Sequence, residues 1–138
     1  MKLDEYATMF EEEERHWWYR GLREVIRKHW ATHVRQGRPR LLDVGCGTGA
    51  NLAHLRDIAD GAGIDFAPSA IVLARGRDLP LTAVASAAAL PFADGAFDVV
   101  LSCDVINHSS LPDRKVPLGE MRRVLAAVGI VILNVPAY

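Results

Sequence analysis

Cysteine, aromatic residues and net charge are all scarce in this sequence. The two cysteines, Cys46 and Cys103, stand far apart, each in an apolar or glycine-rich stretch. That spacing excludes a disulfide framework and gives no metal site, and it suits a reducing cytoplasm. The formal net charge is −1, so no general positive field gathers a phosphate backbone and nucleic acid is not an expected partner. No run approaches the roughly 18 apolar residues of a membrane helix. The start, MKLDEYATMF, has neither the basic flank nor the apolar centre of a secretory signal, so no membrane partner is expected either. Internal repeats and low-complexity tracts are absent, and glycine and proline fall in short clusters instead of one linker.

What is present is the profile of a soluble globular chain. Of 138 residues, 50% are hydrophobic and 24% charged, enough for one domain with a real core and too few for two. The densest charge block, Glu11 to Glu14, reads as a solvated helix face. Trp18, Leu22, Val25, Ile26, Trp30 and Val34 share one helical stripe, predicting a helix over about 16–35 that ends near Gly37 and Pro39.

After Pro39 the pattern changes to short apolar runs, LLDV, AGID, LTAVA, FDVVLS and GIVILNV, separated by helical stretches. The runs read as about five buried strands. Helices are predicted over 51–58, where Leu52, Leu55 and Ile58 keep phase, and over 68–77, where Pro68 suits a first turn. The fourth crossover is interrupted by Pro117 and Gly119, so its helix is expected to start near Pro117 with Leu118, Met121, Val124 and Leu125 on the sheet. Alternating strand and helix implies an α/β fold with parallel strands, right-handed crossovers and helices on both faces.

The stretch LLDVGCGTGANL runs from an apolar strand through a glycine-rich turn into a helix. Gly45, Gly47 and Gly49 lack the Cβ atoms that would hold a ligand off the backbone. The same spacing, with Ala50, also fits the dinucleotide pattern G-x-G-x-x-A. Asp43 separates the readings, because a carboxylate just before the turn repels a pyrophosphate and attracts a cation. S-adenosylmethionine, with its sulfonium and ammonium, is favoured over NAD on that ground; the plainer alternative is that Asp43 caps the turn. Asp65, about twenty residues beyond the first glycine at the next strand's tip, is placed to accept a ribose diol, or else to cap the helix entered at Pro68. Phe66 can cover one face of an adenine or join the core.

With LLDVGCGTGANL, the segments GIDFAPSAI, ALPFADGAFDVVLSCDVINH and MRRVL follow in order, and together they resemble class I S-adenosylmethionine-dependent methyltransferases of the type 11 kind over residues 40–138. The resemblance implies a Rossmann-like sheet in the order 3-2-1-4-5, ending before strands 6 and 7, as in a piece of a longer chain or a short form. It divides the single domain into an N-terminal helical cap, 1–38, and a cofactor-binding α/β core, 39–138. HWWYRGLREVI resembles a leading helix that closes over the methionine end of the cofactor, placing Tyr19 and Arg20 near its carboxylate. Gly45, Cys46, Gly47 and Gly49 would form the turn. Ser86 and Ala87 would meet the adenine, although the family commonly has aspartate at Ser86. Ser102 and Cys103 would meet the ammonium through backbone carbonyls. DVINH departs from the family's DVLEH at Asn107 and leads to His108, which can serve as a general base or as a structural hydrogen-bonding group.

The implied function is methyl transfer from S-adenosylmethionine, yielding S-adenosylhomocysteine, to an unidentified small-molecule acceptor. A non-catalytic binding module and an NAD-dependent oxidoreductase are the competing classes. An apolar fifth strand left at a sheet edge invites association, so a homo-oligomer covering it is expected.

Overall fold

The computed structural model describes residues 2–35, 37–108 and 111–137; the Tyr138 that closes the family-like segment lies outside them. Two helices, α1 (Leu3–Glu12) and α2 (Trp17–His33), precede a sheet of strands β1 (Arg40–Val44), β2 (Asp60–Asp65), β3 (Thr82–Val84), β4 (Phe97–Cys103) and β5 (Leu125–Asn134). Helices α3 (Ala50–Leu55), α4 (Pro68–Arg75) and α5 (Lys115–Val124) make three of the crossovers. The strands run in the order β3-β2-β1-β4-β5, all parallel. The α/β class and strand order expected from the sequence are the ones found.

Period-two alternation divides β1 and β4 between two cores. Leu41, Val99 and Leu101 face Ile26 and Trp30 of α2, Leu52 and Leu55 of α3, and Ile71 of α4. Leu42, Val44 and Val100 face Met121 and Val124 of α5, with Leu90 and Phe97. Because both faces are covered, the central strands are mostly apolar, with Asp43 and Ser102 as buried polar exceptions near their carboxyl ends.

Four details differ from expectation. Helix α1 was anticipated only as a solvated helix face within the cap, not as a packed element; its Tyr6, 4% exposed, packs with Met9 against Ala67, Ala70 and Leu73 of α4 and the residue before it. The α2 stripe is narrower than its spacing suggested, with Ile26 and Trp30 buried while Trp18 and Val25 remain exposed. Helix α5 starts at Lys115, two residues before Pro117, and it buries Pro117 while Leu118 stays exposed. A proline within the first helical turn removes an N–H that has no intrahelical partner anyway. Lastly, β5 begins directly after α5: Phe97 pairs with Leu125, and Val99 next pairs with Ile130. Residues 126–129 therefore bulge from the ladder, and a Cβ on Gly129 would lie 2.8 Å from Asp98 O.

Among the described residues no helix is long and apolar enough to cross a membrane. The order of the strands reverses between β1 and β4, and the crevice outside their carboxyl ends is where open α/β sheets place ligands.

Candidate functional site

The turn after β1 is shaped by three left-handed glycines, Gly45 at φ 76°, Gly47 at 54° and Gly49 at 83°. The N–H groups of Gly45 and Cys46 both donate to Ile64 O at 2.8 Å, which ties the turn to β2. A Cβ on Gly45 would fall 2.1 Å from Val105 Cγ2, so only glycine lets the β4 exit loop approach this closely. Asp65, at the tip of β2, accepts from Gly47 N at 2.9 Å through Oδ2 and from Ala67 N at 3.0 Å through Oδ1. The capping role foreseen for Asp65 is the one these bonds show, and the same carboxylate also lines the cavity.

A cavity of about 490 Å³ opens above this turn. Of the residues singled out from the sequence, Tyr19, Gly45, Cys46, Gly47, Asp65, Phe66, Ser86, Ala87, Cys103 and His108 line it. Phe66 and His108 stand together at 5.8 Å between ring centroids. Ser86 Oγ accepts from Ala88 N at 3.1 Å, so the turn already uses part of the hydroxyl expected to meet an adenine.

Four expected residues lie off the cavity wall. Arg20 is exposed and points elsewhere; Arg23, almost one turn further along α2, is buried and lines the cavity instead. A Cβ on Gly49 would meet Leu79 Cδ1 at 2.5 Å and Ala74 Cβ at 3.1 Å, so this glycine admits the packing of α4 and its following turn. The Ser102 side chain is buried away from the cavity, and among the described residues its Oγ has no hydrogen-bond partner. Asp43 lies beneath the cavity floor, 1% exposed, with Oδ2 lacking a partner among the described residues. Burial, then the charges of Asp65 and Glu13, push Asp43 up to about 7. Asp43 is therefore not a contact residue of the cavity.

The N-terminal segment supplies what the sequence reading missed. Glu13, read there as part of a solvated face, is 5% exposed. Its Oε2 accepts from Thr48 Oγ1 and from Arg77 Nη2, the latter at 2.8 Å. Desolvation raises its pKa against the lowering effect of Thr48, Arg77 and Arg23. Met9 reaches over the turn, its Cε 3.2 Å from where a Gly47 Cβ would stand, and Tyr6 lines the cavity together with Asp65. Burial first, and then Asp65, push the Tyr6 hydroxyl up to about 12. Tyr6, Met9 and Glu13 follow a three-to-four spacing that could have revealed the buried face of α1, but the acidic run Glu11 to Glu14 disguised its last member.

Burial and then the charge of Asp43 hold the thiols of Cys46 and Cys103 well above the ordinary cysteine range, so neither is a thiolate nucleophile. Asp104, at φ 60°, is likewise raised by burial while accepting from Asn134 Nδ2 at 3.0 Å.

Residues 42–133 match the methyltransferase domain family, a span that takes in the glycine turn, Asp65 and the β4 exit. The chain belongs to that family. It is 41% identical over 106 residues to demethylmenaquinone methyltransferase of Thermus thermophilus, covering 70% of this chain and 47% of the relative. To malonyl-(acyl-carrier protein) O-methyltransferase of Geobacter sulfurreducens it is 41% identical over 98 residues, covering 66% and 36% respectively. The chain therefore spans less than half the length of these curated relatives. Among solved structures, the 4+2 cyclase SpnF superposes with a TM-score of 0.71 at 32% identity, over 86% of this chain and 46% of that one.

S-adenosylmethionine is the cofactor implied by this family, and the residues present fit it. The glycine turn leaves backbone open where a Cβ would intrude, and Asp65 faces the cavity, where a carboxylate can accept from a pair of hydroxyls. The acids Asp43, Asp65 and Glu13 surround a space in which a cation is favoured and a pyrophosphate opposed.

Proposed function

We propose that this chain binds S-adenosylmethionine in the cavity above β1, β2 and β4 and directs its methyl group to a small-molecule acceptor. The observation that carries the reading is Asp65, whose carboxylate joins the glycine turn at the rim of a cavity of about 490 Å³. Asp65 would accept from the ribose hydroxyls, Phe66 and Ala87 would flank the adenine, and the glycine turn would lie under the methionine portion. Tyr19, Gly45, Cys46, Gly47, Ser86 and Cys103 complete the proposed binding set. Gly49, Asp43 and Ser102 support it from behind, by packing, charge and strand position; Arg20 is left without a role and Arg23 takes its place.

The bound group supplies an activated methyl on a sulfonium, so the chain's task is alignment and exclusion of water. Residues 1–38 form the cap for that purpose and residues 39–138 the cradle. Val105, Leu111, Phe66 and Trp18 give the cavity mouth an apolar lining suited to a small organic acceptor, and His108 is positioned there to take a proton from a hydroxyl or amine. The two curated relatives are named for a quinone-type and an acyl-carrier acceptor, which supports this acceptor class without choosing within it. A cytoplasmic setting and pairing of two copies along β5 complete the proposal.

A second reading, binding of the cofactor without methyl transfer, is favoured by one finding: SpnF shares the fold at 32% identity and is named as a cyclase. Calorimetry with S-adenosylhomocysteine, followed by transfer of a labelled methyl to candidate acceptors, separates the two. Binding without transfer supports the second reading. Displacement by NADH but not by S-adenosylhomocysteine overturns both.

A further inference from the structure

Glu13 is the C-terminal cap residue of α1 and the most deeply buried member of its acidic run. The hydrogen bonds its side chain receives from described residues, from Thr48 Oγ1 and Arg77 Nη2, both arrive at Oε2. None of these reaches Oε1, although the side chain is only 7% exposed and lines the cavity. Oε1 is not among the fully buried unpartnered atoms of the described residues, so it stays open at the cavity wall, where a ligand's donor can reach it without displacing either partner of Oε2.

The position of Glu13 says which donor. Helix α1 crosses the site lengthwise: Tyr6 packs on Ala67 and Ala70 just beyond Asp65, the residue proposed for the ribose, Met9 covers Gly47, and Glu13 reaches Thr48. At a rise of about 1.5 Å per residue, Glu13 lies roughly 10 Å beyond Tyr6, away from the adenine side marked by Ser86 and Ala87. Beside it is Arg23, 9% exposed and lining the same cavity, whose Nη1 donates to Glu13 O at 2.7 Å. A carboxylate and a guanidinium at one end of a cavity are complementary to a zwitterion with an ammonium and a carboxylate on one carbon.

We infer that Glu13 is a ligand of the cofactor's α-ammonium group, through Oε1, with Arg23 beside it for the α-carboxylate. This rests on the reading given under Proposed function and adds an acidic recognition residue from the cap.

The test compares S-adenosylhomocysteine with its desamino analogue, the same thioether lacking the α-amino group, by calorimetry on the wild-type chain and on Glu13→Gln. A charge-assisted hydrogen bond contributes enough that Glu13→Gln should bind S-adenosylhomocysteine about tenfold to a hundredfold more weakly, while affinity for the desamino analogue changes little. Equal losses for both ligands would make Glu13 a latch for the cap and overturn the inference, as would no loss for either. Thr48→Val, which removes a donor at Oε2 only, is the control expected to affect both ligands alike. Should Glu13→Gln fail to fold by circular dichroism, Glu13→Asp, which withdraws the charge by one methylene, must show the same ligand-dependent loss. A wild-type chain that binds neither thioether defeats the proposed function itself and this inference with it, a result distinct from any seen in the variants alone.

Discussion

Asp65 Oδ2 accepts the backbone N–H of Gly47 at 2.9 Å, so the acid at the tip of β2 is fastened to the middle of the turn that follows β1. Its other oxygen holds Ala67 N at the entry to α4. One side chain thereby sets the distance between two strand tips while facing the cavity between them.

Replacing Asp65 therefore has two separable effects. Asp65→Ala should weaken S-adenosylhomocysteine binding by about 1–3 kcal/mol, and it should also lower folding stability because two N–H donors lose their acceptor. Asp65→Asn retains a carbonyl for one of them, so its stability loss should be smaller than that of alanine. Calorimetry and urea unfolding of the two variants check this. An alanine variant with unchanged affinity removes Asp65 from the ligand site.

The contact between Gly45 and Val105 yields a prediction about packing. Gly45→Ala puts a Cβ 2.1 Å from Val105 Cγ2 at a residue with φ 76°. Overpacking and the left-handed backbone each cost about 1–3 kcal/mol, so the variant should unfold at clearly lower urea concentration. Adding Val105→Ala should restore the packing part and leave the backbone part. If the double variant is no more stable than Gly45→Ala alone, the β4 exit loop is not what demands glycine here.

The sheet was legible because its signal is repeated: five apolar runs, each followed by turn residues, with β1 and β4 buried on both faces. The turn and Asp65 were legible because glycine spacing and a strand-end carboxylate are local features. The cap was not, since its cavity-facing members, Tyr6, Met9, Glu13 and Arg23, acquire meaning only from contacts far along the chain, such as Glu13 with Arg77. Arg20 and Arg23 show the limit most clearly. The resemblance put an arginine of α2 at the site, and helical phase, fixed by Ile26 and Trp30 in the core, brings Arg23 and not Arg20 to the cavity wall.

The β5 edge makes a prediction about assembly. It closes one side of the sheet, and Val128, Leu133 and Val135 along it remain exposed. An unpaired apolar edge of this kind templates another strand, and light scattering of the purified chain should show dimers. Lysine at Leu133 should shift the population to monomers without altering S-adenosylhomocysteine affinity. A stable monomer in the unaltered chain at tens of micromolar would set the pairing aside.

Asp43 predicts how pH enters. Burial raises it to about 7 in the folded chain, whereas an unfolded aspartate titrates near 4. Between those values the folded chain holds a proton that the unfolded chain has released. Stability therefore falls as pH rises from about 4 to about 7, and the loss is complete above that. Asp43→Asn should remove this slope, stabilising the chain by the order of 1–3 kcal/mol at pH 8 and by less at pH 5; urea unfolding at the two values measures it. The same carboxyl couples to the ligand, because a cation above it favours its ionised form. Binding of S-adenosylmethionine near pH 7 should accordingly release protons. Calorimetry in two buffers of different ionisation enthalpy should give different apparent heats for the wild-type chain and nearly equal ones for Asp43→Asn, and identical heats in the wild type would mean that Asp43 does not change its charge when the cavity fills.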